Sequence, residues 1–190
     1  FLVLEMPFGT VPVLEVNGKT IAQSNAIARY LAKKYNLAGK NDWESLECDV
    51  LIDSLSDIKQ VLMQYRNECD PLKKEEKKII LMKETIPFYM NKFEDIISKN
   101  NGFSVGESVR LFPHLLLSSS STTNHSSSFY IYLFQVTWAD FVFASSLENF
   151  ECIFGKNALD RYPALKALKE KIFNIPKIKE WVQKRPQTEF

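Results

Sequence analysis

The chain has 190 residues, of which 45% are hydrophobic and 25% are charged, which is enough for one or two domains with an apolar core. Its 24 basic and 23 acidic residues nearly cancel, which argues against a nucleic-acid partner or an anionic membrane surface. The three cysteines are odd in number and form no CxxC pair, which favours a reducing, cytoplasmic location over a disulfide scaffold.

The common side-chain catalysts are missing from most of the chain. Both histidines, His114 and His125, lie in one serine-rich segment, which argues against Ser-His-Asp, Cys-His and histidine-metal sites elsewhere. The sequence contains no GxGxxG or Walker phosphate loop. We therefore expect no required metal.

The first third of the chain predicts a β-hairpin followed by a helix. Residues 11–16 are rich in β-branched side chains, Asn17-Gly18 is a strong hairpin signal, and residues 19–21 return as a strand. Ser24 opens a helical pattern. Two strands and one helix are too few to be stable alone, so we expect the chain to be a fragment with a β-α-β unit before Phe1.

The rest of the chain predicts helices. After a short polar linker, apolar residues recur at spacings of three and four over residues 46–62 and again over about 73–99. Pro87 predicts a kink within the second of these helices. Two shorter helices are expected to start near Pro163 and Pro176.

A helix-start signature precedes the apolar run at residues 141–144. Thr137 and Asp140 have the [ST]xxD spacing of a capping box, in which each side chain accepts a hydrogen bond from the other residue's backbone. We interpret this pair as a structural cap rather than a ligand site.

Residues 109–135 differ from everything around them, being rich in serine and nearly free of charge. Removing them joins Ser108 directly to Val136. Valine codons begin with GT, glutamine can end in AG, and residues 129–134 use pyrimidine-rich codons, as at splice sites. We hypothesise a retained intron translated in frame, and a genuine insertion loop is the alternative.

Several stretches together resemble one known family. They are Met6–Gly9 with Val11–Val16, Gln23–Leu31, Val136–Phe141 and Lys184–Thr188. In this order they are similar to sigma-class cytosolic glutathione transferases, and the last is shared with haematopoietic prostaglandin D synthases.

The resemblance implies an α+β fold with two domains. A truncated thioredoxin-like, glutathione-binding domain would span residues 1–36, a linker 37–42, and an all-α domain 43–190. It also implies a homodimer, with glutathione as co-substrate and a hydrophobic electrophile bound between the domains.

The resemblance assigns four residues of the first domain to glutathione. Pro12 would follow a cis peptide bond, so that the backbone of Val11 pairs with the cysteinyl backbone of glutathione. Ser24 and the first amides of its helix would bind the γ-glutamyl carboxylate, as helix N-termini bind anions. Gln23 would add an adjacent contact. A plain helix cap is the alternative for Ser24.

The resemblance also implies that an acidic residue of the next helix lies at the dimer interface. Asp53 and Asp57 share a helix face, and Asp57 matches a family residue that reaches the glutathione of the partner subunit. Solvated helix charges are the alternative. Ser56 stands where the prostaglandin synthases tend to have another aspartate, so their divalent-metal effect is not carried over.

The family's catalytic tyrosine stabilises the glutathione thiolate, and it matches no residue here, so we expect it upstream of Phe1. We name no catalytic residue and expect this chain to be inactive alone. The implied activity is conjugation of glutathione to electrophiles, with prostaglandin H to D isomerisation as a specialised activity. A non-catalytic ligand-binding or crystallin-type protein and a defective, inactive product are the alternatives.

Overall fold

The computed structural model describes residues 6–106 and 136–186, and within them the chain forms a small sheet and seven α-helices. The elements are β1 Val13–Val16, β2 Lys19–Ala22, α1 Ser24–Lys34, α2 Asp42–Arg66, α3 Pro71–Ile80, α4 Ile86–Lys99, α5 Trp138–Phe154, α6 Pro163–Phe173 and α7 Pro176–Lys184. A sheet with one helix, followed by helices alone, is the α+β organisation that the sequence predicts. Segment 109–135, interpreted above as a retained intron, lies outside the described residues.

The hairpin follows from its turn sequence. β1 and β2 pair antiparallel, with Val13 opposite Ala22. Asn17 and Gly18 have φ of 51° and 73°, the left-handed values that both central residues of a type I′ turn need. The predicted hairpin is therefore present with the turn that Asn-Gly favours.

The connection between α1 and α2 is held by its own hydrogen bonds. α2 begins at Asp42, because the Asn41 side chain accepts a hydrogen bond from the Glu44 amide at 2.9 Å and caps the helix. The Glu44 carboxylate accepts a hydrogen bond from the Lys40 amide at 2.6 Å. Gly39 has φ of +96°, and a Cβ there would lie 2.7 Å from the Glu44 Cβ, so this turn requires glycine.

The long helix predicted over residues 73–99 is interrupted by a π-helical turn at Leu81–Thr85. Pro87 has no N–H, and in a regular α-helix its ring would meet the Lys83 carbonyl. Shifting the backbone by a π-turn just before the proline relieves this conflict, so the interruption lies where the kink is predicted.

Apolar side chains of α2, α4, α5 and α6 form the core. The largest side chains that are at most 1% exposed are Ile52, Ile97, Phe143, Leu159, Leu165, Leu168 and Ile172. Phe93 and Phe143 make an edge-to-face contact with ring centroids 4.9 Å apart, which joins α4 to α5. By contrast, α3 has no buried residue.

No helix within residues 6–106 and 136–186 is both long enough and apolar enough to cross a membrane.

Candidate functional site

The start of α1 lies at the same end of the hairpin as the cis peptide bond. The Val11–Pro12 bond is cis, as the resemblance implies. Because Val13 pairs with Ala22, the residues that flank this pair, Pro12 and Gln23, lie at one end of the sheet. Ser24 follows as the first residue of α1. The structure therefore brings the four glutathione-binding candidates of the first domain into one region.

The first turn of α1 offers several hydrogen-bond donors to a ligand. The first internal hydrogen bond runs from the Ile27 amide to the Gln23 carbonyl at 2.9 Å, so the amides of the three residues between them have no partner in the helix. The Ser24 hydroxyl makes no hydrogen bond to another described residue. No acidic residue lies in this turn, so nothing there neutralises the positive end of the helix dipole. This turn can bind a carboxylate.

α2 passes beside the start of α1. Asn25 Nδ2 donates a hydrogen bond to Ser56 Oγ at 3.3 Å, and Ser56 Oγ donates to the Ile52 carbonyl at 2.8 Å. The next residue, Asp57, is exposed and makes no hydrogen bond or ion pair within the part of the chain that the structure describes. The single chain therefore leaves Asp57 free to face a partner subunit, but does not place it in the site.

Sequence reasoning missed a residue that fixes α1 in place. Arg29 Nε donates a hydrogen bond to Asp49 Oδ1 of α2 at 2.7 Å. The Arg29 guanidinium also lies 5.6 Å from the centroid of the Trp138 ring of α5. The Trp138 amide donates to the Leu37 carbonyl at 2.8 Å, just beyond α1. These contacts orient the first turn of α1 relative to the helical domain.

The Thr137–Asp140 pair forms a capping box at the start of α5. Asp140 Oδ2 accepts a hydrogen bond from the Thr137 amide at 2.7 Å, and Oδ1 accepts from the amide and the hydroxyl of Ser104, both at 2.7 Å. Burial raises the pKa of Asp140, although these hydrogen bonds act in the opposite direction. Asp140 is 0% exposed, which fits the structural role assigned to it.

Cys48 of α2 packs against this cap and cannot serve as a nucleophile. Its side chain is 0% exposed, and burial raises the pKa of its thiol to about 11. Since the thiolate is the reactive form of cysteine, the thiol of Cys48 is chemically inert at neutral pH.

A pocket of about 530 Å³ lies between α2, α4 and α5. Its apolar wall consists of Leu55, Ile58, Leu62, Met63, Met90, Phe93, Phe143, Leu147, Phe150 and Ile153. The other lining residues are Lys59, Tyr65, Arg66, Ser146, Asn149 and Cys152. The volume and the apolar wall suit a small organic molecule. All lining residues are helical, so this pocket does not lie between the two domains, the position that the resemblance implies for the electrophile.

Within residues 6–106 and 136–186, no three His, Cys, Asp or Glu side chains are grouped so that they could hold a metal ion.

Family comparisons agree over both parts of the chain. The family described as "Glutathione S-transferase, N-terminal domain" matches residues 2–33, and "Glutathione S-transferase, C-terminal domain" matches residues 56–185.

Individual proteins are similar over most of the chain. A glutathione S-transferase of Anopheles gambiae is 35% identical over 184 residues, which cover 97% of this chain and 77% of that protein. The hematopoietic prostaglandin D synthase of Rattus norvegicus is 34% identical over 183 residues, covering 96% and 76%. The solved structure of prostaglandin synthase D of Nilaparvata lugens has a TM-score of 0.80 at 37% identity, covering 98% and 80%.

Proposed function

Because this chain belongs to the glutathione S-transferase family, we propose that it carries the glutathione and acceptor sites of a sigma-class transferase. The reaction is conjugation of the glutathione sulfur to an apolar electrophile. The observation that carries the proposal is the exposed first turn of α1, whose amides and Ser24 hydroxyl have no acceptor within the described residues. The three free cysteines support a reducing, cytoplasmic location.

In this proposal the domain of residues 1–36 binds glutathione through backbone and short polar groups. Ser24 and the first amides of α1 bind the γ-glutamyl carboxylate, because hydrogen bonds and the helix dipole both favour an anion there. Gln23 adds a contact from the position before the helix. Val11, which is 68% exposed, presents its backbone to the cysteinyl part of glutathione.

The helical domain of residues 43–190 supplies the acceptor site. The pocket between α2, α4 and α5 is the apolar cavity that we assign to this role. Burial of the acceptor's apolar surface would contribute about 25 cal/mol for each Å² removed from water.

We assign no catalytic group within this chain. The tyrosine hydroxyl that stabilises the thiolate in this family matches no residue of the sequence, and the thiol of Cys48 is buried and protonated. The proposal is therefore that the 190-residue chain binds glutathione but does not accelerate its conjugation.

A homodimer is part of the proposal. On α2, Trp43, Leu46 and Val50 are 67%, 51% and 55% exposed, and their spacing of three and four places them on one face. Continuing this spacing reaches Asp53 and Asp57, both exposed. An apolar face that ends in carboxylates supports an interface between two copies, in which Asp57 reaches the partner's glutathione.

Isomerisation of prostaglandin H to D is a second candidate activity. It is supported by the similarity to two prostaglandin D synthases, at 34% and 37% identity. A non-catalytic, ligand-binding protein is the alternative from another class. Glutathione binding without turnover, even when a tyrosine-containing first β-α-β unit is supplied, would favour that alternative.

The test is calorimetric titration of the chain with glutathione. Ser24→Ala should weaken binding by about 1–3 kcal/mol, because a charged ligand group loses a hydrogen bond. Gln23→Ala should cost less. Ser54→Ala is the control, since its hydroxyl donates to the Val50 carbonyl within α2, away from α1. Equal effects of Ser24→Ala and Ser54→Ala would contradict the assigned site.

A further inference from the structure

Two cations line the apolar pocket without an acidic partner. Lys59 and Arg66 both belong to α2 and lie seven residues apart, which places them on one face about two turns from each other. Neither side chain makes an ion pair or a hydrogen bond within the described ranges. Among the described residues, no aspartate or glutamate lines the pocket. The charge of the pocket lining is therefore positive.

The Lys59 ammonium is partly desolvated by its neighbours. Desolvation by neighbouring side chains lowers the pKa of Lys59, even though the residue as a whole is exposed. A nearby anion acts in the opposite direction, because an opposite charge stabilises the ammonium form. The planar Arg66 guanidinium can hold a carboxylate through two parallel hydrogen bonds.

We propose that this pocket selects apolar molecules that carry a carboxylate. The apolar body would lie between α2, α4 and α5, and the carboxylate would bind Lys59 and Arg66. A neutral molecule of the same shape would fill the pocket but leave both cations without a partner. The inference rests on the proposed function in one respect, because it names the acceptor class as electrophiles with an acidic group.

A matched pair of fluorescent probes tests this selection directly. 1-Pyrenebutyrate and 1-pyrenebutanol share the same aromatic body and differ in the charge of the end group. We expect the acid to bind the 190-residue chain at least five-fold more tightly than the alcohol at low salt. Raising the ionic strength should reduce this preference, since partly exposed charges are screened. Equal affinity of the two probes at low salt would overturn the proposal.

Variants identify the residues that produce the preference. Lys59→Gln with Arg66→Gln should reduce it to less than two-fold by weakening only the acid. The control, Lys177→Gln with Lys179→Gln, removes the same charge from exposed positions of α7 and should leave the preference unchanged. An equal loss in both double variants would show a general field effect instead of a site, and would also overturn the proposal.

A further variant tests the location. Ser146 lines the pocket on α5, and Ser146→Phe should weaken both probes at least ten-fold by filling the cavity. Unchanged binding of both probes would place them elsewhere and contradict the inference. Glutathione is omitted from these titrations, so equal binding of the two probes would not contradict glutathione binding at Ser24. Loss of glutathione binding in the calorimetric test would, conversely, leave the charge preference of this pocket standing.

Discussion

Arg29 and Asp49 join the unit of β1, β2 and α1 to the helical domain through a hydrogen bond of 2.7 Å between α1 and α2. The two side chains are 33% and 32% exposed, so the pair is only partly screened by water. Since Ser24 lies on the same helix as Arg29, this contact helps to set the position of the first turn of α1 relative to α2.

A double-mutant cycle on Arg29→Ala and Asp49→Ala should give a coupling energy of about 0.5–1 kcal/mol in urea unfolding. The matched control is the pair of Lys184 and Glu180, whose side chains are 70% and 59% exposed within α7. That pair should couple by only about 0.3 kcal/mol. A coupling energy for Arg29–Asp49 no larger than that of the control pair would show that this contact does not stabilise the packing of α1 against α2.

The three thiols should differ sharply in reactivity. Cys69 and Cys152 are exposed, whereas Cys48 is buried with a pKa raised to about 11. In the folded chain, a chromogenic disulfide reagent should therefore label two cysteines quickly and the third only after denaturant is added. The variant Cys69→Ser with Cys152→Ser should show no rapid labelling at neutral pH. Rapid labelling of that variant would mean that Cys48 is accessible.

Several turns and helix starts could be predicted because their signals are local. The Asn17-Gly18 turn, the helix that opens at Ser24 and the Thr137–Asp140 box each depend on residues within about four positions of one another. The prolines that begin α6 and α7 act through their own φ angle and missing N–H. Such features do not require knowledge of the tertiary packing.

The hydrogen bonds that join these elements could not be predicted from the sequence, because they link residues that are far apart along the chain. Glu94 of α4 accepts hydrogen bonds from the amides of Ala164 and Leu165 at 2.8 and 3.0 Å, and so caps α6 from 70 positions away. Ser104 reaches Asp140 across 36 positions. The pocket likewise depends on how three helices pack, which periodicity does not specify.

Gly39 offers a test of backbone strain in the linker. Gly39→Ala combines a left-handed φ of +96° with a Cβ only 2.7 Å from the Glu44 Cβ. Gly155→Ala is the control, because its φ is +98° but its Cβ would meet nothing within 4 Å. We expect Gly155→Ala to destabilise the fold by about 1–2 kcal/mol through conformation alone. Gly39→Ala should cost about 1–3 kcal/mol more because of the clash. Equal destabilisation by the two substitutions in thermal unfolding would show that the linker backbone moves to relieve the clash.

Removing the Asp140 carboxylate should be costly. Asp140→Ala would leave the Ser104 amide and the Thr137 amide buried without their acceptor. Each buried donor left unsatisfied costs about 1–3 kcal/mol, so we expect a loss of about 3 kcal/mol in the free energy of unfolding. Asp95→Ala, at an exposed position of α4, should cost less than about 0.5 kcal/mol. Glutathione affinity should be nearly unchanged in both variants, and its selective loss in Asp140→Ala would indicate a ligand role.

The raised pKa of Asp140 also predicts how stability changes with pH. In the unfolded chain this carboxyl titrates near its ordinary pKa of about 3.9, and burial raises its pKa in the folded state. Between these two values the folded chain binds a proton that the unfolded chain lacks. Asp140 therefore contributes most to stability below the unfolded pKa, and this contribution is lost as the pH rises through the folded pKa.

The variant Asp140→Asn tests this dependence, because its side chain cannot titrate. The difference in unfolding free energy between the parent chain and Asp140→Asn, measured in urea from pH 4 to pH 8, should shift in favour of the variant as the pH rises. A shift in favour of the parent chain would show that the donors from Ser104 and Thr137 outweigh the desolvation of the carboxylate.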